Sequence, residues 1–219
     1  LARLLEDGTD EQGGFVCSEV AGYNGVDWRR SLIWRPGRYI AVVDELCCRD
    51  PGEYDTRCLW RVVGDVSASL GRVCLQQGDE QLFVINADES MRQIKDTGVA
   101  WEGYPHHDGP IQVIHQKISG ALDVGESIVY LHVFTPHEDV TVERRGPAIV
   151  EIADGEDHRI VGVHNGRLIH ADSLASGMDA FNQIASCTHR SPPHRTGPAT
   201  TTMPHPLWER SLPNRLTAM

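Results

Sequence analysis

The stretch GYNGVDWRRSLIWRPGRYIAVVDEL, Gly22 to Leu46, decides the fold. Trp28, Arg30, Leu32 and Trp34 alternate with Arg29, Ser31 and Ile33, the two-residue period of a strand with unlike faces. Pro36 then presets φ at the second position of a turn, and Gly37 tolerates positive φ at the third, the chemistry of a type II turn. Beyond it, Tyr39-Ile-Ala-Val-Val is a continuous β-rich run, as a buried strand requires. The two segments predict a β-hairpin.

Working outward, Tyr54–Val63 repeats the alternation, with Tyr54, Thr56, Cys58, Trp60 and Val62 on one face. Further strands are predicted at 72–76, 81–86, 111–119, 128–134, 140–144, 148–153, 159–163 and 167–171, with Gly-Asp, Asp-Gly, Asn-Gly and Gly-Glu pairs between them. Many short strands so punctuated imply an all-β fold, an antiparallel β-sandwich of stacked sheets, over residues 14–185. The one helical periodicity is a weak one at Ala175–Ile184. Residues 1–13 are polar and fall outside the strand scheme, as the truncated edge of an upstream region. The tail, 186–219, holds half of the twelve Pro and little apolar periodicity, so it is expected to be disordered.

The chain has 219 residues and a formal charge of −11. Its tail carries +3, so the body is more acidic still, near −14. That field opposes non-specific binding to nucleic acid or anionic membrane, and a polyanionic ligand would need a local basic patch. No apolar run approaches the ~20 residues of a membrane span. The absence of an initiator Met suggests a piece of a longer polypeptide. The six Cys form no C-x-x-C pair, which favours free or buried thiols over a zinc ribbon or disulfide framework.

Catalytic signatures of hydrolases and phosphate-binding loops are missing. In YPHHDGP, residues His106, His107 and Asp108 are the candidate metal ligands, and zinc is the ion they would suit. Their spacing matches no established motif, and Pro and Gly on both sides read better as a surface loop. His132, His137, His158, His164 and His170 read as hydrogen-bonded surface residues at strand ends. Asp44-Glu45 reads as a pair accepting hydrogen bonds or pairing Arg29 or Arg30. Tyr23, Trp28 and Arg30 are the candidate sugar contacts, since aromatic faces stack on sugar rings and Arg grips carboxylate or sulfate in a fork. The competing reading makes Trp28, Trp34 and Trp60 core, with Arg capping them by cation–π contact.

The segment Gly22–Asp65 resembles the β-sandwich module of heparinase II/III-like polysaccharide lyases. An Arg-bearing strand enters a tight turn, and the next strand ends in Val-Val-Asp before a Gly-Glu-Tyr step. Arg30, Tyr39, Val43, Asp44, Gly52 and Tyr54 match that layout. The resemblance implies an upstream helical toroid that holds the catalytic residues, and β-elimination on uronic-acid glycans in a secreted or periplasmic enzyme. It implies an acidic polysaccharide and that toroid as partners, and no catalytic residue within this chain. Some members bind zinc in the sheet domain. Where relatives carry a His-containing run, this chain has Cys58-Leu59-Trp60, so no family ligand carries over. A carbohydrate-binding or structural β-sandwich of a cell-surface protein is the alternative.

Overall fold

The computed structural model describes residues 2–69, 71–86, 92–96, 112–164 and 167–171, and every helix or strand element among them is a strand. Eight form a central antiparallel sheet in the order β1 (Ala2–Asp10), β2 (Gly13–Tyr23), β3 (Val26–Arg35), β4 (Tyr39–Cys48), β11 (Ser127–Thr135), β8 (Glu80–Ile85), β7 (Arg72–Gln77) and β6 (Asp65–Ser69). A three-stranded sheet comprises β5 (Gly52–Val62), β10 (Gln112–Leu122) and β9 (Arg92–Asp96). A four-stranded sheet runs β12 (Thr141–Gly146), β13 (Ile149–Asp154), β14 (Asp157–His164) and β15 (Arg167–Ala171). The fold is the stacked antiparallel β-sandwich expected, with the eight-stranded sheet as its middle layer.

The middle position explains the continuous apolar run of β4. Tyr39, Ala41 and Val43 pack with Ile33, Leu131 and Val133 against Val150, Ile152, Val161 and Val163 of the four-stranded sheet. The alternate residues turn to the three-stranded sheet, where Leu46, Ile128 and Tyr130 meet Cys58, Trp60 and Ile118. A strand covered on both faces has no polar side to show.

The hairpin closes as its turn residues require. Gly37 has φ of 72° and Arg38 N–H donates to Arg35 C=O at 3.0 Å, so Pro36-Gly37 is a type II turn. Asn24 and Gly25 both take positive φ, 49° and 85°, the type I′ geometry that matches strand twist at the β2–β3 corner. Tyr54 fastens that corner by donating to Gly25 C=O at 3.1 Å. A Cβ on Gly25 would lie 2.7 Å from the Tyr54 hydroxyl.

Residues 1–13 depart from expectation. Ala2–Asp10 pairs along β2 as an edge strand of the central sheet. An edge strand wet on both faces shows no hydrophobic alternation, which hid it in the sequence. It is tied by charge instead: Glu19 accepts from Arg3 at 2.6 Å and from Arg29 at 2.8 Å, and Arg29 lies 3.5 Å from Glu45. The hydrogen bond from Arg29, then that from Arg3, holds the Glu19 carboxyl below its usual range against its burial. The weak helix at Ala175–Ile184 and the tail from residue 186 lie outside the described residues. Among the described residues no helix is long and apolar enough to cross a membrane.

Candidate functional site

The central sheet is wider than the three-stranded sheet stacked on it. Beyond the edge strand β5, the Trp28–Arg30 face of β3 is left partly open. A cleft of about 450 Å³ opens at this step, lined by Tyr23, Trp28, Arg30, Asp44, Arg57 and Tyr130 among others. The three residues singled out as sugar contacts thus share one cleft.

Asp44 organises it. This buried carboxylate takes Nε of Arg30 at 2.7 Å and its Nη2 at 2.8 Å, a two-pronged pair, and indole Nε1 of Trp28 at 2.8 Å. The register of β3 and β4 places Arg30 directly opposite Asp44, so the pair follows from the hairpin turn. The guanidinium lies 5.1 Å from the ring of Trp28 and 5.4 Å from that of Trp60, within cation–π range of both. The hydrogen bond to Asp44 raises the pKa of Arg30 further, against its partial burial. A carboxylate and two indoles therefore orient Arg30, which leaves about a third of its side chain, 37%, exposed.

Tyr23 differs. It sits at the end of β2 with 49% of its surface exposed, its ring tilted against Trp28 at 5.8 Å between centroids. Trp28 is half-buried and joins the exposed Tyr23 to the oriented Arg30. Trp60 turns inward, edge-on to His132 at 5.7 Å and to Phe134 at 4.9 Å. The indoles are thus divided: Trp60 packs into core, whereas Trp28 forms cleft wall.

The opposite wall comes from β5. Arg57, Leu59 and Arg61 line it, and Leu59 is 45% exposed. Arg57 is exposed and lies 3.4 Å from Asp55. Arg30, Arg57 and Arg61 outnumber the single carboxylate Asp44 at the lining, a local positive excess on an acidic chain. The Cys58 thiol is pushed up to about 12 by burial, so it stays protonated and unreactive at the cleft floor. Tyr130 shares a hydrogen bond with Thr56 at 2.7 Å and so joins the two sheets. Leu59, Arg61 and Tyr130 escaped the sequence reading. Only the unequal widths of the two sheets bring them to this cleft.

Beside the cleft, a polar inlay lies between the same sheets. Asn86 Nδ2 donates to Gln116 Oε1 at 2.7 Å and lies 3.2 Å from His132 Nε2. All three side chains are buried, and His132, expected at the surface, is 1% exposed. Its strand β11 is the partner of β4 and is covered on both sides, a pairing across more than eighty residues that local pattern does not reveal. His106, His107 and Asp108 lie outside the described residues. Among the described residues no group of three His, Cys, Asp or Glu is placed to hold a metal ion. The five described cysteines are free thiols.

No protein-family model matches the chain, and no curated protein matches it. Solved structures do. The heparan sulfate lyase HepC from Pedobacter heparinus matches with a TM-score of 0.50 at 13% identity, over 78% of this chain and 28% of that one. A structure of heparinase III matches with a TM-score of 0.53 at 14% identity, over 73% of this chain and 27% of its own. A heparinase III gene product matches with a TM-score of 0.50 at 15% identity, over 78% and 27%. The chain spans little more than a quarter of the length of these proteins, and at such identities what it shares with them is a fold: a heparinase-like stack of antiparallel sheets.

Proposed function

We propose that this chain is the C-terminal β-sheet region of a polysaccharide lyase that cleaves uronic-acid-containing glycans by β-elimination. In this reading the region is non-catalytic by itself. It supports an upstream helical toroid and forms one wall of the substrate cleft, in a secreted or periplasmic enzyme. The carrying observation is the cleft at the sheet step, where the exposed Tyr23 with the half-buried Trp28 and an arginine excess stand on a heparinase-like fold.

The chemistry of the wall suits an acidic sugar chain. Tyr23 and Trp28 offer ring faces to the apolar C–H surfaces of a pyranose. Arg57 and the exposed part of Arg30 offer charge to carboxylate or sulfate, as point attraction and, where geometry allows, as a fork. Such binding would be weak and sensitive to salt, since the cleft is open and the body of the protein repels polyanions. β-Elimination also needs a base to take the proton α to the carboxylate and groups to neutralise the charge that develops. The toroid would supply them.

Incubation of the isolated chain with heparan sulfate or alginate, followed by ultraviolet absorbance of unsaturated uronate, tests the reading. The expected result is no rise, together with glycan binding that prefers uronate-rich over neutral chains and fades with salt. A rise in absorbance sinks the non-catalytic role. A preference for neutral glycans favours a carbohydrate-binding module of another class.

A further inference from the structure

The cleft opens onto a longer face of the central sheet. β5 is the edge of the three-stranded sheet, and its packing reaches β11 and β4. The same face of the central sheet continues past it across β3, β2 and β1. The register gives the side chains there: Arg30 stands opposite Ser18, and Ser18 opposite Leu4. Farther along β3, Leu32 stands opposite Val16, and Trp34 has Gly14 on one side and Ile40 on the other. Leu4 is 61% and Ile40 48% exposed, so neither flank of this strip lies under a packed layer. Val16, Leu32 and Trp34 between them are half-buried.

Trp34 shapes the end remote from the cleft. A Cβ on Gly14 would fall 2.6 Å from Trp34 Cζ2 and 3.0 Å from Thr9 Cγ2. The six-membered ring of the indole therefore lies over β2 at Gly14, beside Thr9 of β1, and Gly14 is buried beneath it. A glycine within a strand makes room for such a close approach. With backbone under the ring, its other face is the outward one, and part of the side chain stays in water.

The composition of the strip says what kind of ligand fits it. The centre of a dry protein–protein contact is poor in charge. Here Arg30, Ser18 and Thr9 stand among Leu4, Val16, Leu32 and Trp34. Rings interleaved with hydroxyls and a cation suit a ligand that itself alternates apolar C–H faces with hydroxyl and carboxylate groups. Trp28 and Trp34 are six residues apart on β3, an even number, so they share a face about 20 Å apart at ~3.3 Å per residue. Several linked sugar residues span that distance and a single one does not. Asp7, two strands away on β1, keeps an acidic chain close to β3.

We propose that an acidic glycan leaves the Tyr23–Trp28 cleft along β3 and stacks again on Trp34, with Ile40 at its flank. The wall then has two aromatic subsites and grips long chains better than short ones. The identity of the ligand rests on the lyase function proposed above, whereas the second platform rests on register and packing.

Heparan sulfate disaccharides and octasaccharides, titrated into the isotopically labelled full chain and followed by NMR, test it. The octasaccharide should bind severalfold more tightly than the disaccharide, and should shift the Trp34 indole N–H signal, which the disaccharide leaves in place. Trp34→Ala should lose most of that gain, and Trp34→Phe should keep part of it because a smaller stacking face remains. At the exposed flank the sign decides: Ile40→Lys should raise octasaccharide affinity and Ile40→Glu should lower it, a reversal that altered packing alone does not produce. Equal gains in the wild type and Trp34→Ala, or one affinity in both Ile40 variants, overturn the second subsite and leave the Tyr23–Trp28 wall in place. A wild type that binds neither sugar overturns the second subsite and the wall together. A chain that sediments as a dimer and becomes monomeric on Ile40→Glu also overturns the proposal, since a second copy then covers the face.

Discussion

The central sheet has two unlike neighbours. Toward the four-stranded sheet it presents Ile33, Ala41, Val43, Leu131 and Val133, met by Val150, Ile152, Val161 and Val163. Toward the three-stranded sheet it presents Arg30, Asp44, Asn86 and His132 among its apolar residues, and the cover stops short. The first contact is apolar at its centre, with Arg35–Asp157 and Arg38–Asp154 bridging the two sheets at one end, and the energy of its apolar part scales with the area removed from water. The second devotes buried volume to groups that stabilise only when fully paired. A polar inlay beside an open cleft contributes little to stability alone, which is why the candidate site is placed on that side.

The sharpest way to test the contrast is to damage the apolar contact. Ile33 is fully buried between the two sheets. Ile33→Ala should cost about 3 kcal/mol from lost transfer energy and residual cavity. At ~2–4 °C per kcal/mol for a domain of this size, the melting midpoint should fall by about 6–12 °C. Glycan affinity of the remaining folded protein should not change. Calorimetry beside titration checks both. A parallel loss of affinity would show that the two contacts are not separable.

Damage to the polar contact should have a smaller thermal effect and a larger functional one. Asp44→Asn keeps the shape and one acceptor but leaves the Arg30 charge between two indoles without its partner. Breaking a fully buried pair costs ~3–5 kcal/mol. With 37% of the Arg30 side chain exposed, water offsets part of that, and about 2 kcal/mol is expected. Arg30 and Trp28 lose their common anchor, so glycan affinity should fall although the side-chain volume at this position is retained. An unaltered affinity would make the triad purely structural.

How much of this was legible in the sequence depends on the distance over which each feature is fixed. The β3–β4 hairpin was legible, because Pro36-Gly37 sets the turn and the turn sets the register that opposes Arg30 to Asp44. The other predicted strands within the described residues also appear, since each has a face to bury. β1, β2, β6 and β9 were missed. β1 is wet on both faces, and β2 opens on two glycines and ends in exposed residues. The exposed five residues of β6 carry little pattern. The cleft was half legible. Tyr23, Trp28 and Arg30 belong to one local hairpin pair, whereas Arg61 and Tyr130 arrive through sheet stacking that no local period encodes. The burial of His132 likewise follows from pairing of β11 with β4, far apart in the chain.

The finest test of the comparison uses a residue that supports neither contact. Tyr23 is half exposed, and its ring lies tilted against Trp28 of the cleft wall. An aromatic pair of this kind adds ~0.5–1.5 kcal/mol when well packed, and less at an exposed edge. Tyr23→Ala should therefore shift stability by only about 0.5 kcal/mol, within the range of ordinary surface substitutions. If the cleft holds a sugar ring, the same change should weaken uronate-glycan binding severalfold, with Tyr23→Phe retaining most of it because the stacking face is kept. A loss in Tyr23→Phe equal to that in Tyr23→Ala would assign the effect to the hydroxyl instead of the ring. Equal affinity in all three proteins would remove Tyr23 from the wall and leave Trp28 and the arginines to account for any binding. Stability hardly moves in either case, so the result cannot be confused with unfolding, an ambiguity that attends every substitution deeper in the sheet.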